Sequence, residues 1–141
     1  MREGDHAVIC DGKGMDYLGQ LSSAGGECVF DLLEKTKNEA EPSVHIRLFQ
    51  AMPKSDKMEL IIQKAVELGV HSIVPTEMAR CVVKLDDKKK KSKKERWQAI
   101  AESAAKQSKR SKIPEVCDVL SYDEALKKAA ELDLFLVPYE S

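Results

Sequence analysis

The chain has 141 residues, of which 43% are hydrophobic and 33% charged, so it can bury a core and does not fall in the disordered class. It contains no run of about 18 apolar residues and no apolar signal core near its start, which predicts a cytoplasmic protein and neither a membrane protein nor a secreted one. The cysteines and histidines are scattered without metal-ligand spacing, which favours reduced thiols and argues against a zinc site or any other metal.

The net charge of −1 conceals a segregated distribution. Residues 1–83 carry 9 Lys and Arg against 13 Asp and Glu, residues 84–113 carry 12 against 4, and residues 114–141 carry 2 against 7. The middle segment, at +8, indicates a polyanionic partner, because Lys and Arg neutralise phosphates. A solvated, lysine-rich helix start explains the same charges without any partner. No aromatic residue interrupts the lysines at 88–94, so this run suits a phosphate backbone and not stacked bases.

The N-terminal part of the sequence is patterned for β-structure. Three short strands are predicted from apolar or alternating stretches at residues 7–10, 17–21 and 28–33. Glycine-rich segments at residues 11–14 and 22–26 predict tight turns between them. Three short strands cannot close a barrel, so we expect further strands before Met1. The polar stretch 35–43, which contains Pro42, is interpreted as a linker.

From Val44 the pattern changes to alternating strands and helices. A strand is predicted at residues 44–51, with one face formed by Val44, Ile46 and Leu48. Asp56 and Glu59 form a capping-box pattern that opens a helix. Its apolar residues recur at helical spacing, namely Met58, Ile61, Ile62, Ala65 and Leu68. Gly69 suits the left-handed stop position, and residues 70–75 predict a second strand.

The alternation continues to the end of the sequence. Ser92 and Glu95 form a second capping-box pattern, which predicts a helix starting there. The inward residues of this helix are Trp97, Ile100, Ala101, Ala104 and Ala105. Ser121 and Glu124 cap a third helix, and short strands are predicted at residues 116–120 and 134–137. This order predicts an α/β fold with a parallel sheet and helices packed on its faces.

Polar residues follow the predicted strands. Lys54, Arg80 and Glu140 stand at carboxyl ends of strands, and such ends converge on one cleft in open α/β sheets. Ordinary surface charges explain them as well. Lys64 and Glu67 can share one face of the first helix, as an exposed ion pair would also do. The sequence has neither a Ser/His/Asp or Cys/His arrangement nor a glycine-rich phosphate loop.

Four motifs, in order along the chain, resemble those of the 16S ribosomal-RNA uridine-N3 methyltransferase family. They are the turn 11–14, the block 54–70 with 73–75, the block 80–84, and the block 96–110 with 113–116. The resemblance implies a PUA-like β-barrel that helps to bind RNA, followed by a SPOUT methyltransferase domain whose trefoil knot binds S-adenosylmethionine. It divides this chain into residues 1–42, a partial PUA-like β domain with its linker, and residues 43–141, the N-terminal half of a SPOUT domain. The implied partners are 16S ribosomal RNA of the small ribosomal subunit and a second copy of the protein in a homodimer.

The sequence also departs from the family pattern. The Gly-Pro-Glu-Gly-Gly loop and the Arg-Thr-Glu-Thr-Ala segment, which frame the cofactor in the family, have no counterpart before Ser141, and Lys109 replaces a small residue. We therefore expect a chain truncated at both ends that is inactive alone and has no measurable affinity for S-adenosylmethionine. Residues 134–137 should then be a strand with an exposed edge.

The resemblance suggests roles for individual residues. N3 of uridine is an imide nitrogen that loses its proton before or during methyl transfer, so the reaction needs positioning and a base or a cation. The catalytic candidates are Glu67, Arg80 and Arg110. The candidate substrate-binding residues are Lys54, Lys64, Lys84 and Gln107. Pro138, Tyr139 and Glu140 are the expected edge of the cofactor site.

Two other classes of function are compatible with the residues. A non-catalytic RNA-binding module would use the basic segment 84–113 and transfer no methyl group. An α/β nucleotide-binding protein of another kind would leave the ordered motifs unexplained.

Overall fold

The structure is a computed structural model, and it describes residues 1–54, 57–79 and 86–138. An antiparallel sheet comes first, and a parallel sheet with packed helices follows. This order confirms the change from antiparallel strands to alternating strands and helices that the hydrophobic period predicted near Val44.

The N-terminal sheet has three strands in the order β1-β2-β3: β1 (His6–Cys10), β2 (Met15–Ala24) and β3 (Cys28–Lys37). Both pairings are antiparallel, as expected for hairpins. At the first turn, the Asp11 carboxylate accepts hydrogen bonds from the backbone N–H groups of Lys13 (2.7 Å) and Met15 (3.1 Å). Gly14 has a φ of 104°, a value that glycine adopts without strain.

The predicted linker 35–43 is only partly a linker. Its first residues, up to Lys37, continue β3, and the buried Asn38 follows directly. The Asn38 side-chain amide donates to Asp16 (2.7 Å) in β2 and to the backbone oxygen of Lys109 (3.0 Å). The composition of the stretch predicted a linker, and the bond to Lys109 docks it onto the α/β part.

Four short strands and three helices make up the described residues of the α/β part. They are β4 (Arg47–Ala51), α1 (Lys57–Glu67), β5 (Ser72–Glu77), α2 (Asp87–Gln107), β6 (Glu115–Val116), β7 (Leu120–Ser121) and α3 (Tyr122–Ala129). β5 is central and pairs in parallel with β4 on one side and with β6 and β7 on the other. The parallel pairing of the first two predicted strands is confirmed. The first begins later than predicted, because Val44 and Ile46 precede β4 and are 61% and 49% exposed.

A proline explains why one predicted strand at 116–120 is two strands. The Cys117 N–H donates to the Ile73 oxygen (2.8 Å), so the backbone N–H and C=O groups of Ile73 point toward β6 and β7. The backbone N–H and C=O groups of successive residues in a strand point to opposite sides, so Pro75, two residues after Ile73, is also oriented toward β6 and β7. Proline has no N–H to offer, and the neighbouring strand is interrupted between Val116 and Leu120.

The helix ends follow their capping chemistry. α1 ends before Gly69, whose φ is 95°, as predicted, whereas Leu68 lies beyond the helix and is 83% exposed instead of buried. α2 begins at Asp87 and not at Ser92, because Asp86 is the N-cap and its side chain accepts from the Lys89 N–H (2.8 Å).

The remaining capping predictions differ in outcome. The capping box of Ser121 and Glu124 at α3 is confirmed. The box predicted from Asp56 and Glu59 involves position 56, outside the described residues.

The main core lies between the sheet and the pair α1 and α2. Its buried side chains are Met52, Met58, Ile62, Val66, Val70, Ile73, Trp97, Ala101, Ala104, Ala105 and Val116. Ile100 packs partly buried against them, so the predicted inward face of α2 is confirmed. Val74 points to the opposite face of β5, and α3 packs on this strand with Ala125 and Ala129 buried.

The strand predicted at 134–137 is wrong for this structure. The segment has no regular secondary structure, and Leu134, Leu136 and Val137 are 71%, 75% and 69% exposed. A strand requires hydrogen bonds from a neighbour, and no described strand pairs with this segment. Its apolar composition alone does not supply them.

Candidate functional site

The carboxyl ends of the parallel strands form one candidate site. β4, β5 and β7 end at this edge of the sheet, and Lys54 follows β4 with an exposed side chain. Arg80, Lys84, Tyr139 and Glu140 lie outside the described residues, so the expected convergence of Arg80 and Glu140 with Lys54 stays a prediction. Pro138 is described and is exposed.

Glu77 is a carboxylate at this edge that the sequence interpretation missed. It ends β5, and its Oε2 pairs with Lys90 of α2 at 3.2 Å. Its Oε1 is buried and has no hydrogen-bond partner within the described parts of the chain. A half-buried carboxylate with an acceptor atom that has no described partner, at the end of a central strand, suits a cationic or N–H-bearing ligand group.

Lys64 and Glu67 do come together, on the exposed side of α1. Lys64 Nζ lies 2.7 Å from Glu67 Oε2, and Gln63 Nε2 donates to Glu67 Oε1 at 3.0 Å. The hydrogen bond from Lys64, followed by that from Gln63, lowers the pKa of Glu67. A lowered pKa makes this carboxylate a weaker proton acceptor, so the geometry favours an ion pair over a general base.

The predicted site residues fall at two opposite edges of the sheet. α1 begins near the carboxyl edge and runs back over 11 residues, or about 16 Å, to Glu67. The exposed Gln107 ends α2, which runs in the same direction, and Arg110 follows it. Glu67, Gln107 and Arg110 therefore lie at the amino edge, far from Lys54.

Arg110 occupies a buried position that its catalytic prediction did not anticipate. Its side chain is 4% exposed and pairs with Glu41, which is 11% exposed, at 2.8 Å. Nη1 donates to the backbone oxygens of Val66 (3.2 Å) and Val70 (2.7 Å). Direct contact with a uridine needs an accessible guanidinium, so this geometry corrects the predicted role. Arg110 joins the linker to the ends of α1 and α2.

The basic segment is partly neutralised inside the fold. Three of its lysines form ion pairs, Lys89 with Asp86 (3.2 Å), Lys90 with Glu77 (3.2 Å) and Lys94 with Asp118 (2.8 Å). Arg96 pairs with Glu59 at 2.8 Å, and Lys93 Nζ lies 5.6 Å from the centroid of the Trp97 ring. Lys88 and Lys91 are exposed and form no ion pair with any described residue. These two lysines are the freest cations at the start of α2.

A groove of about 740 Å³ runs along α2 beside Asp118 and Val119. Three lysines and four carboxylates line it, so its charge alone does not select an anion. In the described ranges no group of three or more His, Cys, Asp or Glu could hold a metal ion. Among the helices that the structure describes, none combines the length and the apolar character needed to cross a membrane.

Comparison with protein families matches residues 40–141 to the model of the RNA methyltransferase domain. The chain is 42% identical over 141 residues to ribosomal RNA small subunit methyltransferase E of Bacillus subtilis and 32% identical over 133 residues to the protein of that name from Mycobacterium bovis. These matches cover 99% and 93% of this chain but 55% and 50% of the relatives. The chain thus spans about half the length of the curated relatives that it matches.

Solved structures give the same result. The chain superposes on ribosomal RNA small subunit methyltransferase E from Neisseria gonorrhoeae, bound to S-adenosylmethionine, with a TM-score of 0.79, 33% identity and coverage of 91% of this chain and 53% of the other. A structure from Legionella pneumophila with bound S-adenosylmethionine gives a TM-score of 0.78 and 29% identity, over 92% of this chain and 54% of the other. The chain belongs to the RNA methyltransferase family, and the relatives named here are small-subunit ribosomal RNA methyltransferases.

Proposed function

We propose that this chain is part of an enzyme that transfers a methyl group from S-adenosylmethionine to N3 of a uridine in 16S ribosomal RNA. The observation that carries the proposal is the superposition of 91% of the chain, at 33% identity, on a named ribosomal RNA methyltransferase with bound S-adenosylmethionine. The free lysines of α2 add a surface for the RNA backbone. The proposal includes a PUA-like assignment for residues 1–42, a SPOUT assignment for 43–141, a cytoplasmic location and a homodimer, all of which follow from the family resemblance.

The cofactor would supply an electrophilic methyl group to the uridine. On this chain, Glu77 is placed to accept a hydrogen bond from a cationic group of the cofactor, and Pro138 lies at the end of the described chain as a candidate apolar contact. Lys54, exposed at the end of β4, would hold a phosphate or stabilise the negative charge of the deprotonated uridine. Arg80 remains a catalytic candidate, Lys84 a substrate-binding candidate, and Tyr139 and Glu140 candidates for the edge of the cofactor site.

RNA contact by α2 would rest on charge and not on base recognition. Lys88 and Lys91 are exposed without ion-pair partners among the described residues, whereas Lys89, Lys90 and Lys94 are already paired. Lysine contacts to phosphate release counterions, so binding should weaken steeply with added salt and show little sequence preference. Lys64 and Gln107 would contribute at the other edge.

The binding test uses charge reversal at positions chosen from the ion pairs. Lys88→Glu with Lys91→Glu reverses two free cations and leaves the pairs of Lys89 and Lys90 in place. RNA affinity at low salt should fall about tenfold or more, and its salt dependence should become shallower by about two counterions. The matched control reverses Lys127 and Lys128 of α3, which should change affinity much less. Equal effects of the two double variants would contradict a specific role for α2.

The catalytic test uses the protein that contains this chain. Incubation with S-adenosylmethionine and small-subunit RNA lacking the modification should yield N3-methyluridine, detected by mass spectrometry of the digested RNA. Methylation at another atom would overturn the uridine-N3 assignment. RNA binding without any methyl transfer would favour the alternative of a non-catalytic RNA-binding module, which the basic α2 surface also supports.

A further inference from the structure

Two histidines stack at the amino edge of the parallel sheet. His45 precedes β4 and His71 precedes β5, and their ring centroids lie 4.3 Å apart with an angle of 17° between the planes. Both residues are exposed. The lone pairs of an imidazole lie in the ring plane, so two nearly parallel rings do not direct them at a common metal ion. The geometry therefore favours a role other than metal binding.

Several basic groups surround this pair, and one carboxylate of the neighbouring strand β6, Glu115, pairs in register with Ser72. His45, Lys112, Arg47 and Arg110 all act electrostatically on His71. Arg47 Nε donates to the Ser72 hydroxyl at 3.2 Å. Within the described ranges, no carboxylate forms an ion pair with the side chain of Arg47 or Lys112.

Glu41 also faces this group, but it is already engaged. Its oxygens accept from the Arg110 guanidinium and from the Lys112 backbone N–H at 2.9 Å. Arg110 and Glu41 neutralise each other, so Arg47, Lys112 and Glu115 leave a net charge of +1 before either imidazole is counted. Burial first, and then nearby positive charges, lower the pKa of His71, which favours its neutral form, whereas a bound anion would favour the protonated form.

The cationic group lies at the junction of the two parts of the chain. A Cβ atom built on Gly14, in the first turn of the N-terminal sheet, would lie 3.7 Å from Lys112 Cε. The Lys112 N–H donates to Glu41, so the base of the Lys112 side chain lies next to the docked linker. A polyanion bound here would contact both the antiparallel sheet and the α/β part.

We propose that His45, His71, Arg47 and Lys112 form an anchoring site for an RNA phosphate, in which binding is coupled to protonation of an imidazole. A phosphodiester is a permanent anion, and the site offers it a guanidinium, an ammonium group and an imidazolium. β4 has five residues, so this site lies about 16 Å from the carboxyl edge that carries Lys54. It would position the RNA backbone away from the reacting base. The inference rests on the proposed RNA substrate.

The test is RNA affinity as a function of pH. A fluorescein-labelled hairpin from small-subunit RNA is titrated with the chain at constant low salt, and binding is followed by anisotropy. Uptake of one proton should tighten binding at least about threefold between about pH 7.5 and pH 6, with an upper limit of about tenfold per pH unit. His45→Gln with His71→Gln should abolish this gain, and Lys112→Ala should weaken binding at both pH values.

His6→Gln is the matched control, because His6 is the third histidine of the sequence and lies exposed in β1. It should keep the full pH response. A response that persists in the histidine double variant, or affinity unchanged in Lys112→Ala, would overturn the site. Absence of RNA binding by the unmodified chain at every pH would instead refute RNA as its partner and so the proposed function. Loss of binding in the α2 reversal alone, with no effect of the histidine and Lys112 variants, would leave the proposed function standing and the anchoring site refuted.

Discussion

Replacing Glu41 by alanine should destabilise the fold more than its position in a polar linker suggests. The carboxylate pairs with Arg110 Nη2 at 2.8 Å and accepts from the Lys112 N–H at 2.9 Å. The Arg110 side chain is 4% exposed, so Glu41→Ala leaves a nearly buried guanidinium whose remaining hydrogen bonds to described residues go to the carbonyls of Val66 and Val70. Removing one partner of a buried ion pair costs about 3–5 kcal/mol. Because the Glu41 side is slightly more open, we expect about 3 kcal/mol.

Thermal unfolding followed by circular dichroism measures this loss. For a chain of this size, about 3 kcal/mol corresponds to a fall of about 10 °C in Tm. Glu67→Ala is the matched control, because it breaks the exposed pair with Lys64, whose side chains are 57% and 32% exposed. Exposed pairs contribute less than about 1 kcal/mol. If Glu41→Ala were no more destabilising than Glu67→Ala, the stabilising role of the Glu41–Arg110 pair would be wrong.

The pH dependence of stability should reveal the same carboxylate. Burial opposes ionisation of Glu41, but the hydrogen bonds from Arg110 and Lys112 outweigh it and hold the pKa of Glu41 below the ordinary value of 4.5. The stabilisation by the ionised carboxylate is therefore present above pH 4.5 and is lost as the pH falls through the folded pKa. Urea unfolding should therefore show the gap between the wild type and Glu41→Ala closing in acid. Gly69→Ala should lower the free energy of unfolding by about 2–3 kcal/mol, because Gly69 has a φ of +95° and a Cβ there would lie 2.5 Å from Pro42 Cγ. Gly26→Ala is the control, since a Cβ at that position meets nothing within 4 Å, and it should cost far less in the same assay. Ser121→Ala should remove about 1 kcal/mol through loss of the α3 N-cap, and an unchanged urea midpoint would contradict that.

The sequence predicted those features that depend on neighbours along the chain. Helical spacing placed α1, the apolar strands 44–51 and 70–75 predicted the parallel pair, and Ser121 with Glu124 predicted the cap of α3. Each of these depends on periodicity or on a hydrogen bond across three residues. The predicted start of α2 was wrong, because Asp86 and not Ser92 is the N-cap and the helix begins at Asp87.

The candidate sites were less predictable, because they depend on contacts between distant segments. The positive charge of segment 84–113 was visible in the sequence, but only the folded chain shows which lysines have carboxylate partners. Lys94 and Asp118, for example, are 24 residues apart. The stacking of His45 with His71 likewise requires the parallel pairing of β4 and β5, which brings their amino ends together.

The sequence by itself determined the α/β alternation, the basic helix and the family motifs, because each is written in residues that are close along the chain. The tertiary structure decided the position of Arg110, which meets a carboxylate 69 residues away, and it turned a polar linker into a docked segment. It also decided that residues 134–137, although apolar, form no strand. Burial and hydrogen bonding are properties of the partner that a segment meets, and a local pattern does not specify that partner.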